Sequence, residues 1–175
     1  MKTKTALFSI ALAACTNGQG QVDVTMSESA SFPGMARALS AAAASSAMTT
    51  EGEVTLDVHD ELASMAKLGS LSAAISKDTV SGADLSLVDH VTATIAAADG
   101  TLPARLLAQV DVPPSSTEVA LAAAMVDSQV LDYLKEGRVV VHFRLTGRIP
   151  EHPITLIHSL VARVDIAVAS SVTKL

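Results

Sequence analysis

Aromatic residues are scarce in this chain of 175 residues, which has three phenylalanines, one tyrosine and no tryptophan. Beyond the N-terminal segment only Phe32, Tyr133 and Phe143 are left. Sugar-binding surfaces and platforms for single-stranded nucleic acid depend on exposed aromatic faces. The composition therefore argues against both functions and predicts a core built from valine, leucine, isoleucine, alanine and methionine.

Clusters of positive charge are also missing, and the formal net charge is −6. Binding to nucleic acid or to anionic headgroups through charge is therefore not expected. The sequence contains no Gly-x-Ser-x-Gly elbow, no glycine-rich phosphate loop and no pair of histidines at helical spacing. We accordingly predict no catalytic residue, no metal site and no cofactor, while the ligand-binding residues stay unknown at this level.

Cysteine occurs once, at Cys15, directly after an N-terminal segment with the features of an export signal. Lys2 and Lys4 provide positive charge, and an uncharged, mostly apolar run from Ala6 to Ala14 follows. This pattern is typical of a secretory signal, and the run is too short to span a bilayer, which takes about 20 residues. An exported chain with a single cysteine forms no internal disulfide, so that thiol is available for another purpose.

The tetrapeptide Leu12-Ala13-Ala14-Cys15 resembles the lipobox of bacterial lipoproteins. That resemblance implies cleavage before Cys15 and a diacylglyceryl thioether on its sulfur, which makes Cys15 the lipidation site and the membrane a partner. Two alternatives stay open, namely an ordinary buried N-terminal segment and a signal peptide cut without lipidation near Ala11-Leu12-Ala13. Thr16, in place of an aspartate, resembles the sorting pattern of the outer membrane, so an envelope location there is favoured over the inner membrane.

The expected domain organisation follows from the shifts in composition along the chain. Residues 1–14 are a signal peptide, and the polar residues 15–21 are a flexible tether. Residues 22–170 form a β-sandwich domain that contains a low-complexity, alanine-rich insert at about 34–50.

The fold class is predicted to be all-β, a two-sheet antiparallel sandwich with one short helix before the penultimate strand, because apolar residues alternate in seven or eight short segments. The helix starts near Asp127 and ends at Gly137. The clearest strand is 138–146, followed by a long final strand, 154–170. The predicted inward residues are Val139, Val141, Phe143 and Leu145, then Leu71, Ala73 and Ile75 in 70–77, and Leu106, Ala108 and Val110 in 101–112.

The densest group of candidate metal ligands is Asp57, His59, Asp60 and Glu61. If the strand continued through this segment, Asp57 and His59 would share a face, where a carboxylate and an imidazole can meet a divalent ion. The alternative is a solvated strand face that ends in an acidic turn.

Three further candidates carry weaker signals. His142 shares an outward face with Arg138 and Arg144, which suggests either an anion site or a common exposed strand face. His158 falls on the apolar face of the last strand. It is expected to be a core histidine or to mark a bulge, and a catalytic role is the less expected alternative. Ser64-Met-Ala-Lys67 matches Ser-x-x-Lys by spacing alone.

The stretches DLSLVDHVTATIAAADG and LDYLKEGRVVVHFRLTG, with the long closing strand, resemble an uncharacterised family of bacterial envelope lipoproteins over most of residues 22–168. The resemblance implies an anchored sandwich and brings no catalytic residues. We therefore expect a non-enzymatic binding or structural module whose partner is an unknown envelope protein. The alternative is a carrier that holds an apolar ligand between its sheets, where small alanine side chains leave space.

Overall fold

The computed structural model describes residues 7–16, 19–32, 48–148 and 152–167. Ten strands and two α-helices follow one another in this part of the chain, with a short 3-10 helix (Leu85–Leu87) before the fifth strand: β1 (Leu7–Thr16), β2 (Gln19–Phe32), β3 (Met48–Asp57), α1 (His59–Leu68), β4 (Ser70–Ser81), β5 (Val88–Ala97), β6 (Arg105–Asp111), β7 (Glu118–Ala120), β8 (Ala122–Ala123), α2 (Asp127–Lys135), β9 (Arg138–Gly147) and β10 (Ile154–Ala167).

The strands form two five-stranded sheets. Sheet A has the order β1-β2-β10-β4-β7, sheet B has the order β3-β9-β5-β6-β8, and every pairing is antiparallel. The two-sheet antiparallel sandwich predicted from the alternation is confirmed. Helix α2 precedes the penultimate strand as expected. Helix α1 is a second helix, which the prediction of a single helix did not include.

The core lies between the sheets and is centred on β9, β5 and β10. The inward residues predicted for β9, from Val139 to Leu145, are buried, and Phe143 is the largest fully enclosed side chain. His142 and Arg144 of the same strand are exposed. The predicted face of β10 is also buried, His158 included. The remaining predicted residues of that strand, 168–170, lie outside the described residues.

Two of the predicted strand faces are wrong on one side of a β-bulge, whereas Leu71, Ala108 and Val110 contact the core as predicted. In β4, Ala73 pairs with Arg163 and Leu71 with Val164, so Ser72 is an extra residue. Ala74, Asp78 and Val80 consequently face the core, and Ala73 and Ile75, which were predicted to point inward, face outward. A bulge shifts the period-two pattern by one position.

The second bulge lies in β6, where Ala93 pairs with Ala108 and Thr94 with Leu106. Leu107 is the extra residue, and it is buried in place of Leu106, which is 39% exposed. The prediction that Leu106 points inward is therefore wrong.

The N-terminal segment forms part of sheet A in this chain. Strand β1, within which Cys15 lies, runs antiparallel to β2. Strand β2 begins at Gln19, inside the segment predicted to be a tether. The cleavage of residues 1–14 stays a prediction. The low-complexity insert lies outside the described residues except for 48–50, which begin β3. Within the described residues, no helix combines the length and apolar character needed to cross a membrane.

Candidate binding site

The segment proposed as a metal site does not continue as a strand. Strand β3 ends at Asp57 and helix α1 begins at His59, so the two side chains do not share a strand face as predicted. The His59 ring lies against Gly137, where an added Cβ would be 2.3 Å from His59 Nδ1. Gly137 has a φ of +78° and ends α2 as expected. Among the described residues, no group of three histidine, cysteine or acidic side chains could hold a metal ion.

The Ser-x-x-Lys match lies on helix α1 and has an ordinary helical hydrogen bond. The Ser64 hydroxyl donates to the Asp60 carbonyl at 2.9 Å, which is the common i−4 back-bond of a helical serine. Ser64 and Lys67 are both exposed. The geometry gives no sign of an activated hydroxyl.

The exposed face of sheet B carries acidic residues on β3 opposite basic residues on β9. Arg144 Nε donates to Glu51 Oε1 at 3.0 Å, and its Nη2 lies 3.0 Å from the same oxygen. His142 Nδ1 lies 3.8 Å from Glu53 Oε2. The pairing register also sets Asp57 opposite Arg138. This alternation of charge does not favour the anion site suggested by the basic residues, since each base has a carboxylate as its cross-strand neighbour.

A shallow depression of about 250 Å³ lies on this same face, across β3, β9 and β5. Thr92 and Thr94 form one side, and Glu51, His142 and Arg144 form the other. Phe143 contributes its main chain, because its side chain points into the core. Hydroxyl, carboxylate, imidazole and guanidinium groups are thus side by side, and they present both donors and acceptors with little net charge.

A buried polar cluster interrupts the inner face of sheet A. His158 is fully enclosed, and its Nδ1 lies 2.6 Å from Oδ1 of Asp78, which is 2% exposed. The Ser76 hydroxyl donates to Asp78 Oδ2 at 2.7 Å. Among the residues that the structure describes, none forms a hydrogen bond with His158 Nε2. The expectation that His158 is a core histidine is confirmed; the pairing of β10 is regular there, so it does not mark a bulge.

This cluster has the residue types of a hydrolytic triad but not its arrangement. In a triad, the histidine Nε2 faces the serine hydroxyl and the carboxylate orients the other ring nitrogen. Here the serine hydroxyl is bonded to the carboxylate, while His158 Nε2 points into the packed core. Both titratable side chains are closed off from solvent. The cluster therefore has a structural role in joining β4 to β10.

Sequence reasoning missed Asp78 because the predicted face of β4 was displaced by the bulge at Ser72. The signal was nevertheless present, since Ala74, Ser76, Asp78 and Val80 recur with period two. A buried aspartate on such a strand needs a partner, and His158 on the apolar face of β10 needs one too. A polar residue on the apolar face of β4 and another on the apolar face of β10 are therefore expected to pair with each other.

Comparisons with known proteins show what solved structures this chain is similar to. No family model matches it, and no curated protein matches it. A solved carbohydrate-binding module of the β-sandwich superfamily is 10% identical, with a TM-score of 0.32, over 90% of this chain and 54% of that chain. This chain thus spans about half the length of that protein.

Two other solved structures have similar scores. The BFDV capsid protein is 11% identical, with a TM-score of 0.41, over 85% of this chain and 98% of that chain. A family 29 carbohydrate-binding module from Piromyces equi is 12% identical, with a TM-score of 0.30, over 90% of each chain. At such scores the fold class is drawn from the strand pairing of this chain itself.

Proposed function

We propose that this protein is a bacterial envelope lipoprotein, anchored by lipid on Cys15, and that its sandwich is a non-enzymatic binding module. The observation that carries the binding role is the depression on the exposed face of sheet B, between Thr92 and Arg144. The positive start, the short apolar run and the lone cysteine before a polar segment support the anchor.

The anchor would hold the sandwich close to the membrane. Strand β2 begins four residues after Cys15, at Gln19. Four extended residues span at most about 14 Å. The lipidated end of sheet A would therefore lie near the headgroups. The proposed ligand face belongs to the other sheet and stays accessible.

The chemistry of the depression favours a polar ligand of low net charge that both donates and accepts hydrogen bonds. The paired Glu51 and Arg144 offer an acceptor and a donor, and half-buried Thr92 and Thr94 add hydroxyls. With an ion pair already formed, a strongly charged ligand would gain little. We place the ligand on this face because the depression lies on the outer surface of sheet B and not between the two sheets. The alternative of a carrier for an apolar ligand requires space between the sheets, where the large side chains of the core are fully enclosed.

Replacing the cysteine tests the anchor. Cys15→Ser is expected to abolish lipid attachment and to leave uncleaved precursor, because serine offers no thiolate for the thioether. Labelling of producing cells with a clickable fatty acid measures this directly. Label on the serine variant at the level of the natural protein would contradict the anchor.

The ligand face can be tested before the ligand is known. A photocrosslinking phenylalanine analogue placed at Thr92 should give a covalent adduct in the membranes of the producing cell. The matched control is the same analogue at Thr155, a half-buried threonine on the outer face of sheet A. Adding Arg144→Ala should reduce the adduct at position 92 about tenfold, since a charge-assisted hydrogen bond contributes about 1.5 kcal/mol or more. Equal adducts from both positions would contradict this assignment of the face.

A further inference from the structure

We infer that the edge of β2 from Gln21 to Ser27 accepts an extended strand of another protein once β1 has been removed. The inference rests on the proposed function, because β1 (Leu7–Thr16) consists almost wholly of the proposed signal peptide. In the uncleaved chain β1 occupies this edge and shows what fits there.

The backbone of β2 on this side is paired with β1 in the uncleaved chain. Strand β1 pairs with β2 in continuous antiparallel register from Leu7 opposite Ser27 to Ala13 opposite Gln21. Cleavage before Cys15 would remove all seven of these partners. The amide and carbonyl groups on that side of β2 would then lack their strand partners. An open edge of this kind is a template for strand addition.

Strand β2 is held in the sheet on its other side, so the edge stays formed after cleavage. It pairs with β10 without interruption from Gln19 to Phe32. The Arg163 guanidinium binds Asp23 through two hydrogen bonds of 2.9 and 3.1 Å, which lowers the pKa of that carboxyl below its ordinary value. The hydroxyls of Ser27 and Ser159 lie 2.8 Å apart across the same two strands.

The residues of β1 that pair with this edge indicate what kind of strand fits there. Val22, Val24 and Met26 point into the core, and the register sets Leu12, Ile10 and Phe8 opposite them. A fitting strand therefore runs antiparallel and has large apolar residues at every second position. Glu28 is the next inward-facing residue after Met26. A charge placed there disfavours pairing beyond Ser27.

The partner is a different protein rather than a second copy of this chain. A second copy would bring the charged residues Asp23 and Glu28 of its own β2 to this edge, and antiparallel pairing centred on Asp23 would set the two Asp23 carboxylates opposite each other. Like charges on paired strands are destabilising. Strand β1, in contrast, is uncharged. The occupant we propose is an uncharged, alternating apolar segment of an envelope protein presented close to the membrane.

Hydrogen exchange of the lipoprotein purified in detergent tests the inference. Amides in 21–27 that bond to β1 should exchange at least about tenfold faster in the mature protein than in the uncleaved Cys15→Ser precursor. A peptide with the sequence of residues 7–13, flanked by lysines for solubility, should restore the protection. The control peptide carries the equivalent of Ile10→Pro, which removes an amide donor, and should not.

Each outcome separates the inference from the proposed function. Mass spectrometry that finds residues 1–14 on the natural protein would overturn both. A cleaved protein whose amides in 21–27 are already protected would overturn the inference alone, and a dimer by light scattering would identify a second copy as the occupant instead. Equal protection by the proline peptide would rule out strand addition.

Discussion

Phe143→Ala is expected to lower the free energy of unfolding by about 3–5 kcal/mol, because truncating a buried phenylalanine loses transfer energy and leaves a cavity. Phe143 is fully enclosed in β9, an interior strand of sheet B, and is the largest such side chain. Few other large residues are available to fill the space. A domain of this size is often stable by only about 5–15 kcal/mol, so the variant should be close to unfolding.

His142→Ala is the control for that substitution. The neighbouring side chain points outward from the same strand, and its Nδ1 lies 3.8 Å from the exposed Glu53 carboxylate. Such pairs contribute about 0–1 kcal/mol. Urea denaturation followed by circular dichroism gives both values. If the histidine variant were the less stable of the two, the assignment of faces in β9 would be wrong.

Asp78→Ala is expected to lower the free energy of unfolding by a comparable amount, about 3–5 kcal/mol, for an electrostatic reason. The substitution leaves the fully enclosed His158 without the group that its Nδ1 contacts, and unpartnered buried polar groups are strongly destabilising. The Ser76 hydroxyl loses its acceptor as well.

The structure offers a matched control for this pair on its surface. His90 Nδ1 lies 2.6 Å from Asp111 Oδ1, the same separation as in the buried pair, but the Asp111 side chain is 94% exposed. Asp111→Ala should therefore change the stability by less than about 1 kcal/mol. Replacing both Asp78 and His158 by leucine should recover most of the loss, since a buried pair often contributes little beyond an apolar replacement. Equal losses for Asp78→Ala and Asp111→Ala would contradict the structural role of the buried cluster.

The strongly periodic parts of the fold were predictable from the sequence. In β9, alternation from Val139 to Leu145 identifies the buried face, and the same holds for Ile154 to Val164 in β10. Gly137 correctly marks the end of α2, since a residue with positive φ ends a helix without strain when it is glycine. These predictions depend only on local pattern.

The bulges and the sites could not be predicted in the same way. An extra residue such as Ser72 or Leu107 is recognised only from the partner strand, so the faces of β4 and β6 were assigned wrongly up to the bulge or beyond it. The depression on sheet B combines Thr92 and Arg144 from strands that are distant in sequence. Its Glu51–Arg144 pair follows from the register of β3 against β9, which sequence alone does not define.

The N-terminal peptide of the protein isolated from membranes tests the central claim most directly. Trypsin cuts after Lys4 and Arg37, so the two possible forms give different peptides in a mass spectrum. The account predicts a peptide that begins at Cys15 and carries the added mass of a diacylglyceryl group. A peptide that runs unmodified from Thr5 to Arg37, with a free thiol on Cys15, would contradict it.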